Sequence, residues 1–108
     1  KAGDELTIDL DPSQAMYVAV FNWTDEFGFI LMDYKLIDKQ IQLPDDPRIK
    51  FKTYLNNSDP SEEMIVVLAS EKQMNFKLKY DDLEFVMISQ KLAKMGVLIR
   101  KISFTINP

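Results

Sequence analysis

The stretch Met16–Tyr34 constrains this chain more than any other. Met16 to Trp23 is a nearly unbroken run of β-branched, aromatic and other apolar residues, and Phe29 to Met32 is a second. Between them lie Thr24, Asp25, Glu26, Phe27 and Gly28, a short polar segment that ends in the residue most tolerant of positive φ. Two apolar runs joined by a glycine-containing turn predict an antiparallel hairpin. Neither run alternates with polar residues, so the hairpin is expected at the centre of a sheet covered on both faces.

The remaining segments read as its cover. Leu6, Ile8 and Leu10 alternate with Thr7 and Asp9, predicting a half-buried strand over 5–10 that Asp11-Pro12-Ser13 ends. Leu36–Leu43, with Ile37, Ile41 and Leu43 among polar neighbours, is expected as an irregular strand, broken by Pro44-Asp45-Asp46-Pro47. Arg48–Leu55 alternates most cleanly, with Ile49, Phe51, Thr53 and Leu55 on one side. After the turn cluster at 56–61, Met64–Ala69 is a continuous apolar strand, expected beside the hairpin. Val18, Val20, Ile30, Ile65 and Val67 are the expected core.

Beyond Ser70 the period changes. Met74, Phe76 and Leu78 alternate with polar residues, as in a short strand or extended arm. Phe85, Ile88, Leu92 and Met95 then recur at helical spacing. Asp81 or Asp82 supplies an N-cap, Glu84 suits the first turn, and Gly96 suits the C′ position. Ile102, Phe104 and Ile106 complete the pattern with a terminal strand. The expectation is a mainly β fold in one domain over 1–108, an antiparallel β-sandwich of about seven strands with one C-terminal helix covering an edge or open end.

Composition narrows the chemistry. The 108 residues contain neither cysteine nor histidine, so thiolate chemistry and the commonest general base and metal ligand are excluded. No Ser-His, Cys-His or Gly-x-Ser-x-Gly arrangement is present, and no enzymatic activity is expected. No apolar run approaches the ~20 residues of a membrane span. The net charge of −4, from 17 acidic and 13 basic residues, argues against nucleic acid as a partner.

From the first strand to Ser70 the order of motifs resembles a bacterial domain-of-unknown-function family, the one numbered four-three-eight-four. The resemblance rests on Gly3-Asp4-Glu5-Leu6, on Tyr17-Val18-Ala19-Val20-Phe21-Asn22, on the acidic turn Asp25 to Gly28, on Leu43-Pro44, and on the strand from Glu63 to Ser70. The chain departs from the family pattern at Leu31-Met32-Asp33, where members carry Leu-Phe-Pro, and at Ser61, where they carry glycine. The resemblance implies a small β-rich module of an exported or envelope-associated bacterial protein, with no catalytic residue to transfer. The resemblance thus implies an extracytoplasmic location, and a first residue that is Lys instead of Met is expected of a mature or trimmed fragment of a larger protein.

Four groups of side chains invite a functional reading. Asp25, Glu26 and Asp33 form a conceivable carboxylate pair near the hairpin, whose ordinary role is turn formation and solvation. Asp4, Asp9, Asp11, Asp45 and Asp46 are hard oxygen ligands, but lack the spacing that builds a calcium loop, so no metal or other cofactor is expected. Arg48, Lys50 and Lys52, extended by Lys77 and Lys79, make a basic stripe suited to an anion, or simply to blunting a sheet edge. Trp23, Phe27 and Phe29 gather at the hairpin turn, where Phe27 has least claim on the core, and together they are the expected contact surface. The expected function is a non-catalytic interaction or accessory module that engages a protein partner or neighbouring domain. The alternative is a small-ligand or carbohydrate-binding domain using the same aromatics. Oligomeric state is not legible.

Overall fold

The computed structural model describes residues 5–6, 8–10, 14–38, 40–43, 51–52 and 61–106. Its centre is a five-stranded antiparallel sheet. Strand β3 (Met16–Thr24) pairs with β4 (Gly28–Ile37) on one side and β7 (Ser61–Ser70) on the other. Strand β8 (Lys79–Tyr80) flanks β4, and β9 (Leu98–Ile106) flanks β7, giving the order β8-β4-β3-β7-β9. The predicted hairpin is therefore central, and the predicted apolar strand is its neighbour. Two short antiparallel ladders stand apart: β1 (Glu5–Leu6) with β6 (Phe51–Lys52), and β2 (Ile8–Leu10) with β5 (Ile41–Leu43).

Ala19, Phe21, Val66 and Leu68, all completely buried, face one side of the sheet. Helix α1 (Asp82–Lys94) covers this side, sending Phe85 into the layer with Ile88 and Leu92 beside it. The helix thus lies over a face, not over the edge or open end that its terminal position suggests. The irregular segment 71–78 completes the cover. Its backbone is pinned by tyrosines, because the Met74 N–H donates to the Tyr34 hydroxyl (2.6 Å) and the Lys77 N–H to the Tyr80 hydroxyl (2.7 Å). Val18, Val20, Ile37 and Ile65 are buried on the opposite side, with Val67 and Met32 packed against them.

Helix α1 begins and ends as its sequence predicts. The Asp81 carboxylate accepts the Glu84 N–H (2.7 Å), and the Glu84 carboxylate accepts the Asp81 N–H (3.1 Å), a reciprocal capping box. The Lys77 ammonium adds an ion pair to Glu84 at 2.7 Å. That contact holds the Lys77 pKa above and the Glu84 pKa below their ordinary values. At the other end Gly96 takes φ +88°, and the Val97 N–H returns to the Leu92 carbonyl (3.1 Å).

The second hairpin strand departs from simple alternation. Val20 stands opposite Asp33 but Phe21 opposite Leu31, so Met32 is the extra residue of a β-bulge. Phe29 and Leu31 point toward the helix before the bulge, and Tyr34 does so after it. Ile30 alternates with Phe29 and Leu31 onto the far face, opposite Asn22, where it is 38% exposed and not buried as expected. Strand β4 also runs on to Ile37, so Leu36–Leu43 is divided between its end and β5. The predicted first strand is described as two pieces, β1 and β2. Of the predicted Arg48–Leu55 strand only Phe51–Lys52 falls within the described residues.

Candidate contact surface

The hairpin turn and the start of α1 meet at one end of the sheet. Thr24 closes β3, and its hydroxyl accepts the Phe27 N–H (3.0 Å), which fixes the turn 25–27. Gly28 opens β4 with φ +72°, and a Cβ there would stand 2.7 Å from the Tyr80 carbonyl oxygen. Glycine lets β8 approach this closely, and β8 leads directly into the capping box. On the other flank the Trp23 indole N–H donates to the Asp82 carboxylate at 2.8 Å, tying the end of β3 to the first residue of the helix.

This arrangement leaves an open recess of about 460 Å³ between turn and helix. Phe27 and Leu83 supply apolar lining, while Asp25, Glu26, Asp81 and Asp82 make the surround acidic. Leu83 is 71% exposed and Phe27 half-buried, with the Lys79 ammonium 5.9 Å from the Phe27 ring centre. Val86 and Met87 continue the apolar line along the outer side of α1, 50% and 62% exposed. These are the residues that a reading fixed on Phe85, Ile88 and Leu92 passes over. The signal is nonetheless present, since Leu83, Val86 and Met87 repeat at three- and four-residue spacing on the opposite side of the same helix.

The three aromatics expected to share the surface have different fates. Phe29 is buried, its ring stacked on Phe85, so it contributes to the core and presents no ring to a partner. Trp23 is half-buried against the core and walls a smaller concavity of about 220 Å³ with Glu62, Met64, Ser103 and Thr105. Phe27 alone borders the recess.

The other candidates are dispersed. Asp33 sits beside the bulge and pairs with Lys35 at 3.0 Å, whereas Asp25 and Glu26 lie in the turn, so the three do not form a carboxylate pair. Arg48 and Lys50, and Asp4, Asp11, Asp45 and Asp46, lie outside the described residues. Lys52 pairs along β6 with Glu5, and Asp9 along β2 with Gln42. Lys77 is committed to Glu84. Among the described residues no group of three or more potential metal ligands comes together, and no helix is long and apolar enough to cross a membrane.

One buried acid lies on the sheet side away from α1. Glu63 is 7% exposed, and its carboxylate accepts a hydrogen bond from the Asn22 side chain (3.2 Å). Burial pushes its pKa above the ordinary value, and the Asn22 bond opposes that rise without cancelling it. No family model, no curated protein and no solved structure matches the chain.

Proposed function

We propose that the domain is a non-catalytic interaction module which docks a protein partner or neighbouring domain at the hairpin–helix end. The observation that carries this reading is Leu83, 71% exposed beside Phe27 in an acidic recess that continues into Val86 and Met87. A large apolar side chain left in water at the first turn of a well-capped helix gains nothing for folding, but becomes an anchor when a partner covers it. The acidic surround selects a partner whose rim is basic. A nucleic-acid phosphate backbone would be repelled by the same carboxylates.

The motif resemblance supports placing this module in an exported or envelope-associated bacterial protein, on the extracytoplasmic side. We read the fold itself as a two-layer sandwich in which the short ladders lie over the far face. The burial of Val20 and Ile65 there supports this reading, since each requires a cover. The concavity beside Trp23 favours a second reading, a small ligand or sugar stacked on the indole. At about 220 Å³ it is smaller than the roughly 300–1,000 Å³ typical of ligand pockets, so the protein-docking reading leads.

A photo-crosslinking side chain at position 83 tests the proposal. With envelope extract of the native host it should give one discrete heavier adduct, while the same probe at the exposed position 72 gives none. Equal adducts at both positions, or none at either, contradict the assignment.

A further inference from the structure

The outer side of helix α1 carries opposite charge at its two ends. Leu83, Val86 and Met87 form its apolar line, and Gln90 and Lys94 continue that line at helical spacing. Around Leu83 stand the carboxylates of Asp82 and of Asp25, which comes from the hairpin turn. At the far end Lys91 and Lys94 are exposed, and among the described residues neither has an acidic partner. Asp25 takes no part in capping the helix, so the acidic end is more than an accommodation of the helix dipole. A face patterned in this way fits a partner of reversed polarity. A uniformly basic partner would suit Asp25 and Asp82 but be repelled at Lys91 and Lys94. A second copy of α1, laid antiparallel, has the reversed polarity over the same length.

We infer that the partner at the hairpin–helix end is a second copy of this chain, its α1 antiparallel to the first about a two-fold axis between Met87 and Gln90. The inference rests on the reading of that end as a docking surface. In this register Met87 lies opposite Gln90, and Leu83 opposite Lys94, at both ends alike. The four-carbon stem of Lys94 covers Leu83, and its ammonium reaches Asp25 and Asp82 of the other copy. Asp82 serves this contact as well as its own fold, because the Trp23 N–H uses only part of its accepting capacity. A parallel pair of helices would set acids on acids and lysines on lysines, so charge fixes the direction too. The contact is isologous and closes at a dimer.

Sedimentation velocity on the purified protein from about 1 µM to about 1 mM tests it. The parent should pass from monomer to dimer within that range. Lys94→Glu should weaken the dimer about tenfold or more, since it sets like charges together at two places. Asp25→Lys should do the same, and the two combined should restore most of the lost association. Ile102→Lys, on β9, should leave the dimer unchanged. A parent that stays monomeric overturns the inference, as does a dimer indifferent to either single α1-face substitution, a double variant no tighter than the singles, or a dimer that Ile102→Lys dissolves. Should either single variant fail to fold, Met87→Lys takes its place, and an unchanged dimer refutes the helix contact. The crosslinking side chain at position 83 separates this inference from the wider reading. It should give a dimer-sized adduct with the purified chain alone. An adduct only with extract, beside a monomeric parent, overturns the second copy and leaves the docking surface standing, whereas no adduct in either overturns both.

Discussion

The rings of Phe29 and Phe85 lie parallel, 6° apart in tilt with centres 3.8 Å apart, joining the start of the hairpin's second strand to the first turn of the helix. Phe85 also meets Phe21 and Tyr80 edge-on, at 5.0 and 6.2 Å, so one helical side chain closes a cluster built from three strands. Truncating it removes these contacts and leaves a void that a rigid sheet cannot fill. Phe85→Ala should cost about 3–5 kcal/mol in chemical denaturation. A loss below about 1 kcal/mol would show that the helix is not seated on this face.

The two glycines with positive φ among the described residues separate conformational strain from close approach. Gly96 has φ +88° with nothing within 4 Å of an added Cβ, so Gly96→Ala should cost about 1–2 kcal/mol from backbone strain alone. Gly28 has φ +72°, and a Cβ there would also collide with the Tyr80 carbonyl at 2.7 Å. Gly28→Ala should therefore lower the thermal midpoint distinctly more than Gly96→Ala. Equal shifts would mean that β8 does not press against the turn.

Glu63 imposes a pH dependence whose sign follows from its burial. Its folded-state pKa lies above its unfolded one, so the folded protein holds the proton more tightly. Stability contributed by this group is thus greatest in acid, and is lost as pH rises from the unfolded to the folded pKa. Glu63→Gln should abolish that decline and be at least as stable as the parent at pH 7, with the Asn22 contact preserved. Urea midpoints measured across the weakly acidic range check this, and a parent that gains stability with rising pH in that window, relative to the variant, contradicts it.

Much of this architecture is written locally and much is not. The hairpin, the strand read over Met64–Ala69 and the capped helix are legible because apolar patterning, turn chemistry and caps agree over each segment. The bulge at Met32 is not, because Phe29 to Met32 is apolar throughout and no polar residue marks where the faces exchange. Without that mark nothing singles out Tyr34 as packing against the helix-side core, and the exposure of Ile30 beside the buried Val20 and Ile65 is a tertiary matter that no local pattern shows. Helix placement is also hidden: Phe85, Ile88 and Leu92 announce a buried side without naming what buries it. At the recess, Phe27 is visible as an aromatic in a turn. Leu83 is marked only by its three- and four-residue spacing to Val86 and Met87, and its place beside that turn is tertiary information that the spacing does not carry.

Gly28 divides the hairpin aromatics, with Phe29 in the core on one side and Phe27 on the other, half-buried at the recess proposed as the docking surface. Denaturation of Phe27→Ala and Phe29→Ala, measured side by side with the parent, tests that division most directly. Phe29→Ala should lose about 3–5 kcal/mol, as buried phenylalanines do. Phe27→Ala should stay within about 1 kcal/mol of the parent, as surface substitutions do. Losses of about 3 kcal/mol or more in both would make Phe27 a core residue and remove it from the proposed contact surface.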